Sequence, residues 1–88
     1  MKVIIAGPRD FHDYDTVARA VTDSGFEITE VVSGKAPGVD TLGERWAAEH
    51  GKAVKEFPAD WQKYGRAAGP IRNAQMADYA DALVAVGA

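Results

Sequence analysis

The spacing of hydrophobic positions changes several times along the chain, and each change marks an element. Val3, Ile4 and Ile5 form a continuous apolar run, the signature of a strand covered on both faces, and Gly7-Pro8 ends it. Tyr14, Val17, Ala18 and Val21 then recur at helical spacing, with Ser24-Gly25 closing that helix. Ile28 to Val32 is rich in β-branched residues and predicts a second strand. Val39, Leu42, Trp46 and Ala47 follow at i, i+3, i+7 and i+8, a helical stripe that stops at His50-Gly51. Ala53 to Phe57 predicts a third strand ended by Pro58, and "PADWQKYGRAAG" reads as a loop. Pro70 suits the first position of a third helix, which runs through Ile71, Ala74 and Ala77 to about Tyr79. Ala82 to Val86 is the last strand.

The order β-α-β-α-β-α-β predicts an α/β fold: a Rossmann-like three-layer α/β/α arrangement with a short parallel sheet of about four strands and right-handed crossovers. An α+β alternative would want hairpin turns, and the chain contains no Asn-Gly or Asp-Gly pair. At 88 residues the expectation is one domain, 1–88, with a thin stability margin. A formal net charge of -3 argues against general nucleic-acid binding, which depends on neutralising many phosphates. It leaves room for a small phosphorylated ligand. The absence of cysteine excludes disulfides and thiolate metal sites. The apolar start "MKVIIAG" is too short for a signal peptide or membrane span, so a soluble, cytoplasmic protein is expected.

Candidate chemistry lies where strands end. In open α/β sheets ligands bind outside the carboxyl ends of the strands, and the polar joints "GPRDF", "SGKAPGVD" and "PADW" all follow strands. Gly34 and Gly38 would allow close approach of backbone to ligand, and the amides opening the next helix would face a bound anion, with Lys35 adding charge. The competing reading is a plain strand-to-helix turn with Asp40 as a cap. Arg9 has two readings as well: a fork that grips phosphate or carboxylate, or a surface partner of Asp10. His12, Asp13 and Asp15 match no metal-ligand spacing and read as a solvated acidic loop, so no metal is expected. Trp61 either stacks on a base or covers the core edge, and Trp46 reads as packing. Arg72 and Asn73 open the third helix, where side chains reach the strand ends. Arg9, Lys35, Lys63, Arg66 and Arg72 are half of the ten basic residues, and all lie in or beside these joints. That local positive field on an acidic chain predicts an anionic ligand.

Taken together, "GPRDF", "SGKAPGVDTLGERWA", "FPADWQKYGRAAGPIRNAQM" and "ADALVA" resemble the YspA-like branch of the SLOG superfamily, named for its DprA and LOG relatives, over nearly the whole chain. The resemblance implies a domain that binds nucleotides or nucleotide-derived signals, with no cofactor. It implicates Gly7, Arg9 and Asp10; Ser33, Gly34, Gly38 and Asp40; Asp60 and Trp61; and Gly69, Arg72 and Asn73. Pro8, Lys35, Ala36, Val39 and Met76 lie within the same motifs and complete the expected ligand-binding set. Glu44 matches an acidic position and is the candidate for acid–base work, against a solvated helix face. Lys35 and Pro37 stand where the family more often has glycine and arginine. The chain also ends at "VAVGA", before the loop that in LOG enzymes carries the catalytic glutamate.

Three functions follow as expectations. The first is a binding module acting as sensor or sink; short versions resembling this chain occur in phage and mobile-element genomes, so sequestering a host immune nucleotide is one role the resemblance suggests. The second is a hydrolase of the base–ribose bond of nucleoside monophosphates, using Glu44 or Asp60. The third is a ligand-free scaffold. In each case an unpaired sheet edge near Ala85 predicts a homodimer or larger homo-oligomer.

Overall fold

The structure, a computed structural model, describes residues 1–87. Four strands, β1 (Lys2–Ala6), β2 (Glu30–Ser33), β3 (Ala53–Glu56) and β4 (Ala82–Ala85), form one parallel sheet in the order β3-β2-β1-β4. The connecting helices are α1 (Tyr14–Ser24), α2 (Val39–Glu49), the single turn α3 (Trp61–Tyr64) and α4 (Ala68–Tyr79). The first two crossovers step one way across the sheet and the third steps back past β1. Right-handed connections therefore put α4 on the face opposite α1 and α2.

The faces can be followed residue by residue. Val3, Ile5, Val31, Val84 and Val86 meet Val17 and Val21 of α1 and Val39, Trp46 and Ala47 of α2 in one buried cluster. Strand alternation turns Ile4, Val32 and Leu83 to the other face, toward α4. That layer is thinner. Val32 is fully buried, yet Leu83 remains 55% exposed on β4, which has no strand on its outer side among the described residues. Trp46 is packing, as expected: it is buried and its ring stacks on His50, with centroids 4.4 Å apart.

Strand and helix types agree with the sequence reading; some boundaries do not. β2 begins at Glu30 rather than Ile28, because the amides of Thr29 and Glu30 both donate to Met1 O and pairing starts there. α1 opens on Asp13, whose carboxylate accepts from the Thr16 amide (3.2 Å) and hydroxyl (2.7 Å). The acidic loop thus supplies a helix cap. The segment expected to be a loop holds α3, where the Lys63 amide donates to Asp60 Oδ1 at 3.0 Å, followed by a 3-10 turn at Gly65–Ala67. α4 starts two residues before Pro70, which is tolerated in a first turn whose amides lack helical partners.

Candidate functional site

The loops after β1, β2 and β3 converge with the start of α4 on one cleft of about 360 Å³. Arg9, Gly34, Lys35, Ala36, Trp61 and Arg72 line it, together with Pro37, Pro58 and Ala59, which sequence reasoning had not selected. Pro58 had signalled only the end of a strand, and Pro37 a departure from the family pattern. The lining carries three cations and no carboxylate.

Arg72 is the centre of this arrangement. It is only 8% exposed, its Nη1 donates to the Gly34 carbonyl, and its Nε donates to Asn73 Oδ1 at 2.9 Å. No carboxylate lies within 4 Å of it among the described residues. Buried charges are normally paired, and this guanidinium, held by a carbonyl and an amide oxygen, borders the cleft without a carboxylate within 4 Å among the described residues. Gly34 makes the contact possible: a Cβ there would stand 2.8 Å from Arg72 Nη1 and 3.0 Å from Asp40 Oδ2. Arg9, across the cleft, likewise has no carboxylate partner among the described residues, and the Arg9–Asp10 surface pair does not form.

Much of the backbone of the β2–α2 joint is already bonded within the protein. The Lys35 amide donates to Ser33 Oγ (3.2 Å), the Ala36 amide to Asp40 Oδ2 (3.2 Å) and the Val39 amide to Pro8 O (3.3 Å). Lys35 is the one non-glycine residue with positive φ, 59°, among the described residues. Gly38, at φ 78°, lies against the first loop so closely that a Cβ would be 2.3 Å from Pro8 O and 2.5 Å from Arg9 O. The glycine at 38 therefore serves loop-to-loop packing. The positive charge of the cleft comes from side-chain cations, while the amides of Lys35, Ala36 and Val39 are bonded within the protein.

Other expected residues fall elsewhere. The Glu44 carboxylate accepts from Ser33 Oγ (2.5 Å) and Lys35 Nζ (2.9 Å) and does not line the cleft. Lys35 reaches Glu56 as well, at 3.5 Å, and its ammonium is held above its usual pKa by the Glu44 hydrogen bond. Its charge is largely answered within the protein. Ser33 and Val39 are buried, and a Cβ on Gly7 would strike Val86 O. Asp40, Asn73 and Met76 line a separate groove with Ile4, Ala6, Ala77 and Leu83, between α4 and the β1–β4 pair. Burial holds the Asp40 carboxyl above its ordinary range, with the Ala36 amide and then Arg72 opposing that rise. Gly69 lies beside both Trp61 and Arg72: a Cβ there would make ordinary contacts, 3.6 Å from the indole and 3.9 Å from Arg72 Nη2. Trp61 is 54% exposed, so it walls the cleft rather than covering the core. Asp60 caps α3 and lines a neighbouring cleft; Asp10 is exposed and lines neither.

A sequence profile of the YspA, cpYpsA-related SLOG family matches residues 1–64, a stretch that holds Arg9, the β2–α2 joint and Trp61. The chain belongs to that family. The family match ends before α4, so Arg72 stands outside it. The chain is also similar to the "Gene 61 protein" of Mycobacterium phage D29, 36% identical over 84 residues that cover 85% of this chain. It spans 66% of the length of that phage relative. No solved structure matches it significantly. Among the described residues, no helix is long and apolar enough to cross a membrane.

Proposed function

We propose that the chain is a nucleotide-binding module in which Arg72 and Arg9 grip a phosphate and Trp61 stacks on the base. The observation that carries this reading is the buried guanidinium of Arg72, which has no carboxylate within 4 Å and opens on a cleft lined only by cations and neutral groups. Membership of the SLOG family supports a nucleotide-related ligand. A phage relative is compatible with a role as sensor or sink for a signalling nucleotide.

Binding without hydrolysis is the favoured form. Of the two carboxylates weighed for hydrolysis, Glu44 is engaged by Ser33 and Lys35 and does not line the cleft, and Asp60 is engaged as a helix cap. A general base must reach the proton that it removes, or reach it through one water.

Titration calorimetry against a panel of ribonucleotides and cyclic dinucleotides, with chromatography of the ligand afterwards, tests the proposal. At least one nucleotide should bind and be recovered intact. Arg9→Ala should weaken it about tenfold or more, the loss expected for one contact to a charged group. Binding unaffected by Arg9→Ala would overturn the assignment of the cleft. Release of free base, lost in Glu44→Gln, would overturn the non-catalytic reading. The homo-oligomer expected from the sequence belongs to the proposal too, with the open β4 edge as its place.

A further inference from the structure

Beside the first cleft lies a second of about 220 Å³, lined by Pro58, Asp60, Lys63, Tyr64, Gln75 and Arg72 among others. Pro58 and Arg72 line both. Arg72 therefore borders both clefts. Its neighbours differ between them: Arg9 and the indole of Trp61 in one, Lys63 and the phenol of Tyr64 in the other.

Lys63 has no carboxylate within 4 Å among the described residues; its Nζ stands 5.0 Å from the centre of the Tyr64 ring. The one acid in this lining, Asp60, has an oxygen engaged by the Lys63 amide. One carboxylate against Lys63 and Arg72 leaves the second cleft with a positive excess. A lone phosphate would use Arg72 from one side only and leave Lys63 idle.

We infer that the ligand carries two separately held phosphoryl groups that straddle Arg72, one between Arg9 and Arg72 and the other between Arg72 and Lys63. This rests on the nucleotide-binding reading above and narrows it to a class: nucleotides with a second phosphate, either adjacent as in a diphosphate or on a different sugar oxygen as in a 3′,5′-bisphosphate. The small volume of the second cleft suits a phosphoryl group, and its polar lining offers Tyr64 and Gln75 as further hydrogen-bond donors.

The test compares the 5′-monophosphates, 5′-diphosphates and 3′,5′-bisphosphates of the four common ribonucleosides by calorimetry at fixed ionic strength, on the full chain and on Lys63→Met. α3 contains no buried residue, so this substitution should leave the fold intact. Lys52→Met, at the amino end of β3, controls for total charge. One doubly phosphorylated class should bind at least tenfold more tightly than its monophosphate. Lys63→Met should remove most of that gain, with monophosphate affinity unchanged within twofold and Lys52→Met without effect. Which class shows the gain reports the separation of the two groups. Equal affinity for all three classes, or a gain that survives Lys63→Met, overturns the inference while leaving the nucleotide-binding reading intact. No binding by any of the three classes overturns the inference, and no binding by the cyclic dinucleotides as well overturns the nucleotide-binding reading.

Discussion

At the residue scale, the site is governed by how closely atoms approach rather than by flexible glycines. A methyl at Gly38 would enter the backbone of Pro8 and Arg9 at a φ that L-residues avoid. Gly38→Ala should therefore cost about 3 kcal/mol or more, through strain and forced separation of the two loops. Urea unfolding would read this as a large drop in midpoint, or as failure to fold in so small a domain. Gly34→Ala is a different case, because the atoms it meets belong to the side chains of Arg72 and Asp40. It should cost less stability and more affinity, measured by calorimetry beside the same unfolding curve.

Asp40 adds a pH dependence of definite sign. Burial raises its carboxyl above the ordinary value of 3.8, so the native state keeps its proton longer than the unfolded chain does. As pH climbs above that value the unfolded state loses its proton first, and the Asp40 contribution to stability falls. Above the native pKa the loss is constant. Asp40→Asn retains an oxygen for the Ala36 amide and removes the buried charge. It should raise the urea midpoint at pH 7 and have little effect near pH 3.

At the element scale, α3 is the piece that the hydrophobic pattern could not reveal. Four residues without a buried side chain have no periodicity to read, and the Asp60 cap was the one signal present. Yet this turn carries Trp61 over Gly69 to the edge of Arg72 and places Lys63 in the second cleft. Because α3 buries nothing, Trp61→Ala should leave the thermal midpoint nearly unchanged. It should remove about 1–3 kcal/mol of binding, the range for base stacking on an aromatic, and a purine should lose more than a pyrimidine. α1 and α2 follow the opposite logic: their apolar stripes announced them, and they form the thick layer of the core.

For the whole molecule, the three layers are unequal. The α4 face leaves Leu83 and the outer side of β4 uncovered in the single chain, and unpaired edges are usually protected in folded proteins. Sedimentation at micromolar concentration should report a mass above that of one chain, reduced by Leu83→Lys. A monomer at all concentrations would refute this. Charge acts at the same scale: with a net charge of -3 overall, a cationic cleft should bind anions locally while the molecule ignores long nucleic acids.

Much of this was legible in the chain alone. β-branched runs and helical stripes determined the element types, their order determined the parallel α/β topology, and the shared direction of parallel strands placed all the strand-end loops at one rim. Arg9, Trp61 and Arg72 could be selected there because their residue types are suited to anions and bases. Only the tertiary structure decided what each does. It buried Arg72 on the Gly34 carbonyl with no carboxylate within 4 Å among the described residues, bonded the amides of Lys35, Ala36 and Val39 internally, tied Lys35 to Glu44, and sent Asp40, Asn73 and Met76 to another groove. Local patterns encode which face of an element is apolar. Whether a polar group meets a ligand or another part of the chain depends on contacts between residues tens of positions apart, as Arg72 and Gly34 are, and no local pattern contains them.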